Sequence, residues 1–131
     1  MTTDMATQLT VTQAVAYALL CADQTESDSA WKAWAKSWLG GADRSARAAH
    51  AAKATAATAA AKQAAFAAQL LGQATEVQTE AALLGSEGRN ARWQLDNAGR
   101  LEADCLAAAA DAVRDAEVTD NIQILALAED Y

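Results

Sequence analysis

The 131 residues carry a formal net charge of −7, and although 53% are hydrophobic, alanine supplies 38 of them and Leu, Ile, Val and Phe together only 21. No proline, six glycines and almost no β-branched run leave strands nothing to build on, while helix interiors have the best helix former in abundance. Two cysteines and one histidine exclude a disulfide framework and a zinc quartet, so the composition predicts an all-α, single-domain bundle of five to six helices with Ala-rich close packing over 1–131, residues 1–9 being a disordered tail.

Thr10-Val11-Thr12-Gln13 has the spacing of a capping box, and Val11, Val15, Ala18 and Ala22 then recur at helical spacing, which predicts a first helix over 11–23. The uncharged stretch from Met5 to Ala22 is broken by Thr and Gln and has no Lys or Arg before it, so it reads as neither a signal peptide nor a membrane span; the expected location is cytoplasmic. After a polar loop over 24–29, Asp28 or Ser29 caps a helix that carries Trp31, Trp34 and Trp38 and ends at Gly40-Gly41. Asp43 is the natural cap of the next segment. From Arg44 to Leu71 no breaker occurs, which predicts one helix ended or kinked by Gly72. Thr75-Glu76-Val77-Gln78 then offers a second capping box for a short helix to Leu84, and the loop 85–88 leads into a long helix from Arg89 to Glu117 whose weak point is Gly99. Thr119 and Asp120 cap a last helix from Asn121 to about Glu129.

The alanine tract is ordered. On a helical wheel Arg44, Arg47, Thr55, Thr58, Lys62 and Gln69 share one sector, while Ala46, Ala49, Ala56, Ala60, Ala64, Ala67 and Leu71 form the opposite seam. A seam of methyl groups needs bulky fillers, and the Trp31, Trp34 and Trp38 face supplies them; the other reading of that face is an anchor for a partner. Lys53 in this seam and Glu102 in the apolar arc of the last long helix break their patterns. They pair across the helices, or Lys53 reaches solvent at the seam's edge. Cys21 and Cys105 read as small core hydrophobes.

Residues 1–65 hold six basic and five acidic side chains and residues 66–131 four and twelve, so the halves carry +1 and −8. An acidic surface of this kind disfavours nucleic acid. On the long C-terminal helix Leu101, Cys105, Ala109, Ala112, Val113 and Ala116 make the inward face, and Arg100, Asp104, Asp111 and Asp115 line the other. No phosphate loop, G-x-S-x-G, H-E-x-x-H or C-x-x-C occurs, and His50 has no acidic orienter, so neither an enzyme nor a cofactor is expected. The candidate partner-binding residues are Trp93 with its neighbour Arg92, and the acidic set Asp104, Asp111, Asp115, Glu117 and Asp120; the other reading of the acidic row is a solvated helix face.

The stretch Trp34-Ala35-Lys36-Ser37-Trp38-Leu39-Gly40-Gly41, followed by Asp43-Arg44-Ser45-Ala46-Arg47-Ala48-Ala49-His50-Ala51-Ala52, resembles alanine-rich immunity proteins of bacterial polymorphic-toxin systems, similar chains of which occur in phage genomes. In that layout a short helix ends in a W-L-x-G-like turn before a long Ala-rich helix, and the resemblance spans residues 17 to 70. It implies an inhibitor or immunity factor that binds another protein, here one with a basic surface. The competing expectation is an assembly subunit that self-associates through its alanine seams.

Overall fold

The Thr10 hydroxyl accepts a hydrogen bond from Gln13 N at 3.1 Å and the Gln13 side chain accepts one from Thr10 N at 2.9 Å, closing the predicted capping box at the start of α1 (Val11–Asp23). In the computed structural model, which describes residues 9–84, 89–117 and 121–131, five more helices follow: α2 (Ser29–Leu39), α3 (Ala46–Thr55), α4 (Ala59–Leu84), α5 (Arg89–Ala116) and α6 (Asn121–Ala128). Every regular element among the described residues is a helix, as the composition requires. The predicted loop 85–88, the tail 1–8 and the cap residues Thr119 and Asp120 lie outside the described residues.

Helices α4 and α5 run antiparallel along most of their length, α1 packs against both, α6 against α1, α3 along α4, and α2 over α1 and α3. The core is built as the small residues demand. Val15, Leu19 and Cys21 of α1 and Trp31 and Trp38 of α2 are wholly buried among Ala49, Ala60, Ala61, Ala64, Ala67, Ala68 and Ala112. Trp34 is only partly buried and meets Trp31 edge-on at 5.8 Å between ring centroids. The plug reading of the Trp face therefore holds for Trp31 and Trp38 and half-way for Trp34. Arg44 lies 4.4 Å above the Trp38 ring and donates to the Trp38 carbonyl at 2.8 Å.

The helix predicted over 44–71 is broken at 56–58, where Ala56 is extended at ψ 134°, although no Gly or Pro stands nearby. The cause is Glu26, the one buried charged side chain among the described residues. Its carboxylate accepts from Asp28 N at 2.8 Å, from Ala57 N and Thr58 N at 3.0 Å and from Thr58 Oγ1 at 3.1 Å. Thr58 in turn caps α4 by accepting from Ala61 N at 3.1 Å. The cap of α3 is Ser45, with Asp43, two residues back, accepting from Ser45 N at 3.0 Å.

Gly72 does not end the helix, and the Thr75 to Gln78 capping box is not used: both lie inside α4, where the Thr75 and Thr79 hydroxyls donate back to the carbonyls of Leu71 and Thr75. What Gly72 provides is space. A Cβ there would lie 2.6 Å from Ala46 N and 2.9 Å from Ala46 Cα, so α4 passes the start of α3 at backbone contact. Gly72→Ala should therefore lower stability by about 1–3 kcal/mol, overpacking outweighing the roughly 1 kcal/mol that Ala gains in helix propensity. Urea unfolding measures the difference, and a stabilised variant would show that the two helices separate freely.

Lys53 and Glu102 do not pair. The Lys53 ammonium lies 4.8 Å from the centre of the Phe66 ring, and Glu102 accepts from Gln78 Nε2 at 2.6 Å. Both groups stay partly exposed, so neither needs the other's charge.

Candidate protein-binding face

The inward face of α5 is the predicted one: Cys105, Ala109, Ala112 and Ala116 are buried, with Leu101 and Val113 partly so. Its opposite face carries Arg100, Asp104 and Asp115 in the open, and Asp111 half-covered by an ion pair with Arg114 one turn on. At 3.6 residues per turn Trp93, Asp104, Asp111 and Asp115 fall along one stripe of the helix. The candidate residues nevertheless separate into two groups. Arg92 and the 62% exposed Trp93 sit near the start of α5, while the carboxylates begin eleven residues on, about 16 Å along the axis. Asp120 lies outside the described residues.

The acidic end has a second feature that no wheel discloses. Glu117, directly after α5, adopts φ 51°, and it is the only non-glycine residue with positive φ among the described residues. That left-handed position closes a helix and favours glycine. Asp111, Asp115 and Glu117 also crowd the negative end of the α5 dipole, where Arg114 is the only basic residue of the last turn. Arg114 meets Asp111, whereas Asp115 and Glu117 stand exposed where the dipole disfavours them.

Other candidate chemistry is accounted for by burial. Burial pushes the Cys21 thiol up to about 11 despite its hydrogen bond with Tyr17, whose hydroxyl is itself raised to about 12, and burial raises Cys105 to about 12. Neither sulfur is a thiolate near neutral pH, so both act as packing groups. His50 is exposed on α3. Among the described residues no three His, Cys, Asp or Glu side chains come together as a metal site, and no helix is long and apolar enough to cross a membrane. Scans against family models, curated proteins and solved structures returned no match to this chain.

Two exposed leucines, Leu83 at 83% and Leu95 at 54%, join Trp93 in the part of the α4–α5 pair that lies near their connection. The sequence singled out neither, because a lone leucine on a wheel carries no periodic signal.

Proposed function

We propose that this chain is a non-enzymatic protein-binding module of the inhibitor or immunity type, whose acidic end of α5, formed by Asp104, Asp111, Asp115 and Glu117, docks on a basic surface of another protein. The observation that carries the reading is the placement of charge against the interest of the fold. A carboxylate-bearing residue occupies a left-handed position suited to glycine, and it stands with Asp111 and Asp115 at the wrong end of a helix dipole. Asp115 and Glu117 are exposed groups that cost folding free energy, and a binding surface is a use for such groups that the fold itself does not supply. The resemblance of residues 17 to 70 to immunity proteins points to the same class. Self-association through the alanine seams is the weaker reading, since Ala49, Ala60, Ala64, Ala67, Ala109 and Ala112 are buried within one copy.

The test joins stability to binding. Glu117→Gly should raise the unfolding free energy by about 0.5–1 kcal/mol, because glycine meets no Cβ penalty at φ 51°. Reversal of Asp104, Asp111 and Asp115 to Lys should leave helical circular dichroism unchanged. Affinity capture from the native host with the wild-type chain should retain a basic protein. The triple reversal should lose it, with association at least tenfold slower and less sensitive to salt. Equal retention by the reversed chain overturns the reading, as does unfolding on reversal, which would place these carboxylates inside.

A further inference from the structure

The 17 Asp and Glu residues of the chain avoid one region: from Arg44 to Thr75 there are Arg44, Arg47, Lys53 and Lys62 and no carboxylate. The fold draws two of these cations together. Lys53 of α3 and Lys62 of α4 line one shallow depression of about 450 Å³ with Ala54, Gln63 and Phe66. The Lys53 ammonium lies 4.8 Å from the centre of the Phe66 ring, which is 37% exposed, and Lys62 stands in the open. The ring orients Lys53 without neutralising it, and neither lysine is in an ion pair among the described residues. Arg47 and His50, both exposed, extend the patch, because Arg47, His50 and Lys53 follow at three-residue spacing and each neighbours the next on the surface of α3. Glu26 reaches Ala57 and Thr58, but its carboxylate is buried and engaged by their donors rather than by a lysine. Two ammonium groups at one depression repel each other, and an anion from outside relieves that repulsion.

We infer that this depression docks a carboxylate-rich segment of a partner protein, one that also carries apolar side chains. Charge complementarity selects the acidic residues. The exposed Phe66 ring and the Ala54 methyl, which share the depression with the two ammonium groups, offer the apolar contact. A nucleic acid fits less well, since a long polyanion runs on past so small a patch and is repelled by the acidic half of the chain over 66–131. None of Asp104, Asp111, Asp115 and Glu117 lines this surface, so it and the acidic end of α5 are tested separately.

Fluorescence anisotropy of a labelled ten-residue peptide of eight Glu and two Leu, titrated with the whole chain at about 20 mM salt, should show saturable binding that weakens at least tenfold by about 200 mM salt. Lys53→Gln with Lys62→Gln should weaken it at least tenfold. Lys36→Gln with Arg100→Gln removes the same charge from exposed sites elsewhere and should change it less than twofold. Lys62→Gln alone, at an exposed position, should weaken it roughly threefold and keeps the test decisive should the double variant fail to fold. A ten-residue glutamate peptide without leucine should bind at least threefold more weakly, and equal affinity for the two peptides overturns the apolar part of the proposal. Equal losses from the two Gln pairs would mean that only net charge is sensed, which overturns the proposal, as does an absence of binding. Equal or tighter binding of a ten-nucleotide single-stranded DNA overturns it too, assigning the patch to phosphates.

Discussion

Trp31→Ala should cost about 3–5 kcal/mol of stability. Trp31 is wholly buried in a core made largely of alanine, whose methyl groups cannot reach into the space it leaves. The residue also links two helices chemically. Its Nε1–H donates to the Ala61 carbonyl at 3.0 Å, tying α2 to the first turn of α4. Trp31→Phe keeps most of the ring volume and loses that hydrogen bond, for an expected cost of about 1–2 kcal/mol. Trp93→Ala, at a 62% exposed site, should change the stability of the monomer by no more than about 0.5 kcal/mol. Urea unfolding followed by far-UV circular dichroism at low protein concentration gives all three values. Equal costs for the Trp31 and Trp93 truncations would mean that the α2 face does not plug the alanine core.

Where the determinant of a structural feature lies within a few residues of it, the sequence discloses it. Thr10 with Gln13, Asp28 with Trp31, and Gly40-Gly41 mark the ends of α1 and α2 correctly because each end is satisfied by its own neighbours. The break between α3 and α4 escapes such reading. Its cause, Glu26, stands 31 residues from Ala57, and nothing in Thr55-Ala56-Ala57-Thr58 distinguishes a helix interior from a pair of caps until the distant carboxylate arrives. Gly72 misleads for the opposite reason. Its missing Cβ reads as a stop signal on propensity, but it is used for tertiary contact with Ala46. The wheels find the faces of α5 correctly, yet a wheel does not say which helix a face meets, so it left open both a Lys53–Glu102 pair and a Lys53 at the seam's edge; the second holds, with Phe66 beside Lys53 and Gln78 beside Glu102. At the acidic end the row of carboxylates is readable from spacing alone. The left-handed backbone at Glu117 is not, because the residues that signal such a position are glycine and asparagine rather than glutamate.

Glu26 itself should be the most sensitive polar position in the protein. Four donors converge on its carboxylate, the amides of Asp28, Ala57 and Thr58 and the Thr58 hydroxyl, and the side chain is only 5% exposed. Glu26→Ala removes the acceptor and strands buried donors at the start of α4, for an expected cost of about 3–5 kcal/mol. Glu26→Gln keeps the shape but turns an amide NH₂ toward these N–H groups, so it should cost about 1–3 kcal/mol. The acid dependence follows from the same contacts. Burial alone would push the Glu26 carboxyl up, but the hydrogen bonds from Asp28, Thr58 and Ala57 outweigh it and hold the group below its ordinary value of 4.5. A carboxyl lowered on folding stabilises the native state fully above its unfolded value, and that contribution is lost as pH falls from there through the lower folded value. Stability of the wild-type chain should therefore drop more steeply below about pH 4.5 than that of Glu26→Gln, and the gap between them should narrow as the pH falls. The charged groups around the site, Asp23, Asp28 and the Lys32 ammonium that donates to the Asp23 and Glu26 carbonyls, are common to both proteins. Their titration therefore largely cancels in the comparison. Parallel stability curves for the two chains between pH 7 and pH 3 would show that Glu26 is not the ionised cap that separates α3 from α4.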